Sequence, residues 1–148
     1  MASQTLIDKS SWGDGPWQHE PDRVEWKAHG FHCLITRNDF MVHLCGYVAV
    51  PPGHPWHGKQ PNADAHGGVN YAESCAGKVC HVPAPGESDD VWWVGFDCGH
   101  GGDISPGTAW ALKSHGMDYF SRGWSYRDLP YVTAEVEGLA LQASKAQP

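Results

Sequence analysis

The densest group of reactive side chains in this 148-residue sequence lies between positions 97 and 103. The segment Asp97-Cys98-Gly99-His100-Gly101-Gly102-Asp103 follows an apolar, strand-like run and contains two carboxylates, an imidazole and a thiol. Glycine lets the backbone turn tightly, so Asp97, His100 and Asp103 can converge on one point, as a divalent metal or a polarised water requires. We therefore predict that these three residues are catalytic and ligate a divalent metal, with Cys98 as a reserve nucleophile.

A second glycine-flanked element, His66-Gly67-Gly68, is predicted to face the same pocket. His66 is expected to act as a catalytic acid–base group or as a further metal ligand. The backbone N–H groups of Gly67 and Gly68 are expected to meet an anion beside this imidazole. Two such elements at strand ends therefore predict one shared pocket.

The pattern at 97–103 also permits a purely structural interpretation, which stays open at this point. Asp97 and Asp103 would then accept hydrogen bonds from neighbouring backbone N–H groups in Asx turns. His100 would be an ordinary hydrogen-bonded histidine, and Cys98 a buried thiol.

Aromatic and cationic residues elsewhere predict a flat, anionic ligand such as a nucleotide. Tryptophan rings can stack on a nucleobase, and arginine is the better bidentate partner for a phosphate. In the long loop 51–65, His54 and His57 flank Trp56, and the loop is either a lid that faces the ligand or, more commonly for such residues, a solvent-exposed loop. The predicted ligand-binding residues are Gly67, Gly68, Trp93, Trp56, His54, Tyr126 and Arg127, with Lys113 and Arg122 as further groups able to neutralise a phosphate.

Five cysteines are an odd number in a sequence whose first residues lack the features of an export signal. We therefore expect reduced thiols or metal ligands rather than a disulfide framework. A zinc half-site at Cys75, Cys80 and His81 is a weaker alternative, because no matching pair of ligands follows downstream.

Composition and charge exclude several classes of protein. The formal net charge of −7 lacks the basic excess that binding to duplex nucleic acid requires, and eight tryptophans with 41% hydrophobic residues exclude intrinsic disorder. No apolar stretch approaches the roughly 18 residues of a membrane span. We therefore expect a soluble, cytoplasmic protein without a membrane partner.

The elements that must position these residues predict one domain over 1–148. Alternating apolar residues predict strands, and Asp128 is a suitable N-cap for a helix at 128–145. Residues 1–23 are expected to be an extended, tryptophan-containing arm docked on the body. The predicted fold is α+β, with a small, mostly antiparallel sheet, long ordered loops and one main C-terminal helix. The predicted strands are 24–28, 31–36, 41–50, 66–72 and 91–98, with one helical turn at 108–114.

Several motifs resemble a family of small proteins encoded by tailed phages, prophages and some bacterial genomes. The resemblance implies a phage or mobile-element origin and assigns no activity. The sequence departs from the family mildly, with Asn70 where the family usually shows Thr and Gly99 where it often shows Ala. The motifs are Gly15-Pro16-Trp17 with Glu20-Pro21-Asp22, the run 44–51 with Gly53-His54-Pro55, His66-Gly67-Gly68, the run 92–98 with His100 and Gly102-Asp103, and 126–129 with Tyr131-Val132.

Three functions follow from these observations. The first is metal-assisted hydrolysis of a phosphoester or a nucleotide-like compound. The second is sequestration of such a ligand, for example a nucleotide defence signal, by a homo-oligomer that does not turn it over. The third is inhibition of a host protein, docked through the tryptophan-containing arm. A phage-encoded protein of each kind would act in the host cytoplasm.

Overall fold

A six-stranded antiparallel sheet is the centre of the fold in the computed structural model, which describes residues 2–116 and 123–148. The order of the strands across the sheet is β1-β2-β3-β4-β6-β5, and a separate pair of short parallel strands, β7 and β8, lies beside it. The strands are β1 (Ala2–Gln4), β2 (Arg23–Ala28), β3 (Phe31–Arg37), β4 (Leu44–Val50), β5 (Tyr71–Ser74), β6 (Trp92–Asp97), β7 (Asp103–Ile104) and β8 (Ser125–Tyr126).

The central strand β4 is buried along its whole length because both faces of the sheet are covered. On one face, apolar residues of β2, β3, β4 and β6 pack against the helix α2 (Leu129–Lys145). On the other face, a second core contains Tyr47 and Trp93 and is covered by the segment 75–91 through Val79 and Val91. The side chains of β6 alternate between these two cores, as the period of a strand requires.

Helix α2 confirms the predicted C-terminal helix and its cap. The Asp128 side chain accepts a hydrogen bond from the backbone N–H of Tyr131 at 3.1 Å, and Pro130 occupies the first turn, where no intrahelical N–H is needed. The helix approaches the sheet closely at Gly46, where an added Cβ would lie 2.4 Å from Cγ2 of Val136. These features confirm the small α+β fold.

The first 22 residues form more structure than the predicted extended arm. Strand β1 pairs with β2, residues Pro16–His19 form a 3-10 helix, and Trp17 is buried against Ile104 and Ala109. Five polar residues tie this segment to the body, and we call them the Arg37 network: Lys9, Glu20, Asp22, Arg37 and Tyr126.

Three predicted element boundaries need correction. Strand β4 begins at Leu44 rather than at 41, because Val42 has a positive φ of 58° that breaks the extended backbone. Residues 66–70 are a turn rather than a strand, since Gly67 and Gly68 both have positive φ. The helix α1 spans Pro106–Ser114 and so begins before the predicted turn, because the Ser105 hydroxyl caps the N–H of Thr108 at 3.1 Å.

The expectation of reduced or metal-bound cysteines is wrong for two of the five. Cys75 and Cys80 form a disulfide that closes a short loop at the start of the covering segment, so these two thiols do not form a zinc half-site. The other three, Cys33, Cys45 and Cys98, are free and buried. No helix within 2–116 or 123–148 combines the length and the apolar character that spanning a bilayer requires.

Candidate functional site

The two predicted elements meet where β6 ends, the turn 65–68 folds back, and α2 begins. The structure brings together His66, His100 and Asp103, whose ligand atoms lie within 4.8 Å of one another. We call these three residues the His/Asp cluster. Arg127 and Tyr131, from the start of α2 and the residues before it, complete its surroundings.

Asp103 is the centre of the cluster, and it is only 4% exposed. Its Oδ2 lies 2.8 Å from Nε2 of His66 and accepts a hydrogen bond from the backbone N–H of His100 at 3.1 Å. Its Oδ1 accepts one from Nε of Arg127 at 3.0 Å. Burial raises the pKa of Asp103, but the donors from His66 and Arg127 outweigh it, so the pKa lies below its usual value and the carboxylate is ionised.

His100 lies between the two carboxylates that sequence spacing could not distinguish. Its Nδ1 is 3.4 Å from Oδ2 of Asp103, whereas its Nε2 is 3.6 Å from Oδ1 of Asp97. Each ring nitrogen therefore faces a different carboxylate, and one cation cannot use the same nitrogen of His100 with both. The Nδ1 atom is buried and has no hydrogen-bond partner among the described residues.

Asp97 stands outside the cluster and caps the turn, as the structural interpretation proposed for it. Its Oδ1 accepts a hydrogen bond from the N–H of Gly99, and its Oδ2 accepts one from the Asn70 amide, both at 3.0 Å. The metal-ligand set of Asp97, His100 and Asp103 is therefore corrected, with His66 in the place of Asp97.

Gly67 supports the cluster by its lack of a side chain. An added Cβ would lie 2.3 Å from Cε1 of His100, and the φ of +71° also favours glycine. The N–H of Gly68 donates to the carbonyl of Ala65 at 2.8 Å, so it closes the turn and does not face an anion. The expected anion-binding role of Gly68 is therefore corrected.

Tyr131 and His66 form a chain of polar contacts that ends at Asp103. The Tyr131 hydroxyl lies 2.8 Å from Nδ1 of His66, whose Nε2 faces the carboxylate. The Arg127 guanidinium lies 4.9 Å from the centre of the Tyr131 ring. Partial burial and the nearby Glu135 carboxylate raise the pKa of Tyr131, so its phenol is protonated at neutral pH and can donate.

A cleft of about 240 Å³ adjoins the cluster. His43 is buried in its wall, and its Nδ1 has no partner among the described residues. Burial lowers the pKa of His43, so this imidazole is neutral at physiological pH. The cleft is lined by Met41, His43, Gly99, His100, Gly101, Asp103, Ser105, Thr108 and Trp124.

Two predicted site residues belong to the core instead. Cys98 is 1% exposed on the face covered by α2, and burial raises the pKa of its thiol, which disfavours the thiolate that a nucleophile needs. Trp93 is also 1% exposed and packs in the second core, so its ring is not available to stack on a ligand. Both predictions are corrected because strand alternation directs these side chains inward.

Tyr126, predicted to bind a ligand, lies in the Arg37 network. Its hydroxyl accepts a hydrogen bond from Nη1 of Arg37 at 3.0 Å and donates to the carboxylate of Glu20. Lys113 is exposed at the end of α1, and Arg122 lies outside the described residues. Arg127 is therefore the one predicted phosphate-binding cation that the described residues place at the cluster.

The predicted lid lies at the other end of α2. Nε2 of His54 is 2.8 Å from the carbonyl oxygen of Ala143, and the backbone N–H of Trp56 donates to Nδ1 of His54 at 3.0 Å. Ala143 is twelve residues beyond Tyr131, or roughly 18 Å along a helix axis. His54 and Trp56 therefore anchor the loop to the helix end and do not reach the cluster.

Tyr131 and His43 are the functional candidates that sequence reasoning missed. Tyr131 follows the Asp128 cap by three residues, so the capping signal already placed it in the first turn of α2. His43 is a polar residue beside the apolar run that became β4, which was a signal for a buried imidazole.

No family model matches the chain, and neither the curated proteins nor the solved structures contain a match to it. What the chain does must therefore be inferred from the chemistry of its own side chains.

Proposed function

We propose that this protein hydrolyses a small phosphoester with a divalent cation bound by His66, His100 and Asp103. The observation that carries the proposal is the convergence of three donor atoms: Nε2 of His66, Nδ1 of His100 and Oδ2 of Asp103. Two imidazoles and one carboxylate are the ligand set of many hydrolytic zinc sites, in which the remaining position holds water.

The surrounding residues would fix the ligands in the form that binds a cation. Without a cation, Nε2 of His66 carries the proton and donates to Asp103. With a cation bound, Nδ1 would carry the proton and donate to the Tyr131 hydroxyl, and Nε2 would offer its electron pair to the cation. Arg127 holds the other oxygen of Asp103 and so orients the carboxylate. His66 must exchange its hydrogen bond to Asp103 for the cation, because both use the same nitrogen.

The proposed reaction adds water across one P–O bond. A cation held by His66, His100 and Asp103 would activate a water, whose oxygen would attack phosphorus while the bond from phosphorus to the leaving oxygen breaks. Tyr131 would donate its proton to the leaving oxygen, and the proton released by the attacking water would return to Tyr131 through His43 and solvent, so the products are an alcohol and a phosphate with one ester bond fewer. The neutral His43 is positioned at the cleft wall to accept the proton of the attacking water.

Two features support a nucleotide-like substrate. Trp124 lines the cleft and offers a ring for stacking, while the Arg127 side chain is 30% exposed beside the cluster. A phage or mobile-element origin, which the sequence resemblance implies, would make a nucleotide defence signal of the host a suitable substrate class.

The test is hydrolysis of bis(p-nitrophenyl) phosphate and of a panel of linear and cyclic nucleotides by untagged protein. The protein is stripped with a chelator and then reloaded with Zn²⁺, Mn²⁺ or Mg²⁺. We expect metal-dependent turnover that falls by at least about 100-fold in Asp103→Asn and His100→Asn.

Asp97→Asn is the matched control, because Asp97 adjoins His100 but lies outside the cluster and accepts hydrogen bonds from Gly99 and Asn70. Its activity is expected to remain near that of the unaltered protein. Equal losses in Asp97→Asn and Asp103→Asn would contradict the proposed ligand set. Tight binding of a nucleotide that is recovered intact would replace hydrolysis with sequestration.

A further inference from the structure

A second group of potential metal ligands lies on the face of the sheet opposite α2. His32 belongs to β3, His81 follows the disulfide, and Glu87 belongs to the turn 84–87 of the covering segment. Their ligand atoms lie within 4.8 Å of one another. We call these three residues the His81 cluster, and none of them contributes to the site described above.

Side chains from separate stretches of the chain meet here. Nε2 of His32 lies 3.1 Å from each carboxylate oxygen of Glu87. The rings of His32 and His81 are 4.1 Å apart between centroids, and the His81 ring meets the Trp93 ring at 5.6 Å. A cleft of about 230 Å³ opens beside all three ligands and leaves room for a water.

The polar atoms of this cluster are incompletely paired. Both ring nitrogens of His81 are buried without a hydrogen-bond partner among the described residues, and so is Nε1 of Trp93. Buried polar atoms without partners are rare because each costs free energy, so an unpaired imidazole nitrogen of His81 near the Glu87 carboxylate indicates a missing ligand. The Trp93 indole N–H is a donor only and would not contact a cation. Neutral imidazole nitrogens are the commonest protein ligands for transition metals.

We propose that His32, His81 and Glu87 bind a divalent transition metal, best matched by Zn²⁺, which fastens the covering segment to the sheet. Two imidazoles and one carboxylate suit Zn²⁺, whereas Mg²⁺ and Ca²⁺ prefer sites made of oxygen atoms. The metal would join β3 to the segment that covers the second core. Its role is structural, and the proposal does not depend on the function proposed for the His/Asp cluster.

The neighbouring charges are compatible with this site. Neither ring nitrogen of His81 has a hydrogen-bond partner among the described residues, so the nitrogen that carries the free electron pair is available to a metal. The Lys27 ammonium lies 3.1 Å from Oε2 of Glu87 and would have to move away when the metal binds. Lys27 is about half exposed, with 54% of its side-chain surface accessible, so this displacement meets no packed neighbour.

The test uses untagged, chelator-treated protein that carries His66→Asn and His100→Asn, so that the first cluster cannot bind metal. Zn²⁺ titration by calorimetry and thermal unfolding with and without Zn²⁺ are the measurements. We expect one bound equivalent of Zn²⁺ and an increase in the unfolding temperature. Adding His81→Asn to this doubly substituted protein is expected to abolish both the Zn²⁺ binding and the increase in unfolding temperature.

His29→Asn is the matched control, because His29 lies at the β2–β3 turn with a φ of 51° that asparagine tolerates. His29→Asn should leave unchanged both the one bound equivalent of Zn²⁺ and the increase in unfolding temperature that Zn²⁺ produces. If the doubly substituted protein does not fold, His81→Asn in the unaltered chain must lower the Zn²⁺ stoichiometry by one. The inference is overturned if the His66→Asn, His100→Asn protein binds no Zn²⁺, or if Zn²⁺ binding is retained after His81→Asn is added. Hydrolysis assays on the same proteins test only the proposed function.

Discussion

The Arg37 network and the His/Asp cluster use nearly the same chemical groups for opposite purposes. Each joins carboxylates to an arginine and a tyrosine hydroxyl, and both contact the start of α2, where the backbone N–H of Leu129 donates to Glu20 at 2.7 Å and Tyr131 meets His66. The difference is in how completely the groups are paired and in how much water reaches them.

The Arg37 network is saturated. The Arg37 side chain is fully buried, and its three nitrogens donate to Asp22 at 2.7 Å, Glu20 at 3.2 Å, and Val42 and Tyr126 at 3.0 Å. Lys9 pairs with Asp22 at 3.1 Å, so two positive charges balance two negative ones. Because its charges are paired and four of the five Arg37 N–H groups have acceptors among the described residues, this network is structural.

The His/Asp cluster is unsaturated by the same measure. Nδ1 of His100 has no partner among the described residues, and His100 and Arg127 keep about a third of their side-chain surface exposed, at 36% and 30%. The comparison teaches that residue types alone do not identify a site. Unpaired polar atoms next to partly exposed side chains are a better guide to a candidate site.

The largest expected effect is on the network. Arg37→Met leaves Asp22 and Glu20 as buried charges without their main partner, and we expect a loss of about 3–5 kcal/mol in the free energy of unfolding. Arg127→Met, the counterpart in the cluster, should cost less than about 1 kcal/mol because its site is partly exposed. Urea unfolding measures both, and equal losses would remove the distinction between the two regions.

The two tyrosines give the next largest effect and the sharpest contrast. Tyr126→Phe removes a buried hydroxyl that bridges Arg37 and Glu20, and we expect a cost of about 1–3 kcal/mol with little change in turnover. Tyr131→Phe should have the reverse effect, with near-normal stability and roughly 100-fold slower hydrolysis. Urea unfolding and hydrolysis kinetics on both variants test this contrast between lost stability and lost activity. A fully active Tyr131→Phe variant would contradict it.

A smaller effect is expected from the adjacent glycines of the turn. Gly67→Ala and Gly68→Ala both force alanine into a positive φ, at a cost of about 1 kcal/mol or more in stability. Only at Gly67 does the new Cβ meet the His100 ring, at 2.3 Å, whereas nothing lies within 4 Å at Gly68. Zn²⁺ affinity should therefore fall about tenfold in Gly67→Ala alone, and calorimetry that shows no difference between the two would refute this geometry.

The smallest expected effect is on the pH dependence of the unfolding free energy, which differs between His43 at the cleft and Asp22 in the Arg37 network. The folded pKa of His43 lies below its ordinary value of 6.5, so the stability from keeping it neutral is present above pH 6.5 and is lost as the pH falls through the folded pKa. Asp22 has a lowered pKa from an ordinary 3.8, so its contribution persists until the pH falls below that value. His43→Gln should flatten the decline in unfolding free energy below pH 6.5, and an unchanged slope would assign that decline to other groups.

Much of the fold could be predicted because apolar alternation is a local signal. The two faces of β6 and the Asp128 cap are read directly from neighbouring residues, and both are confirmed. The turn at 41–43 was missed because the apolar run Met41–Val42 gives no sign of the positive φ at Val42.

The site was only half predictable for a physical reason. Spacing shows that Asp97 and Asp103 can both reach His100, but each approaches a different ring nitrogen, which only the folded turn determines. The contacts of His66 with Asp103 and Tyr131 cross 37 and 65 residues of sequence, and no local pattern encodes such pairs. The same holds for Arg37, whose partner Tyr126 is 89 residues away.

The hydrogen bond from Leu129 to Glu20 joins residues 109 positions apart, and it has a consequence for how the protein is made. Because ribosomes extend a chain from its N-terminus, the β2–β3 hairpin can pair while α2 is still unsynthesised. Glu20 and His66 must then wait for Leu129 and Tyr131, which lie in α2 and are synthesised later. The cluster therefore assembles only after α2 has been synthesised, and no fragment lacking α2 should bind the proposed cation as the whole chain does.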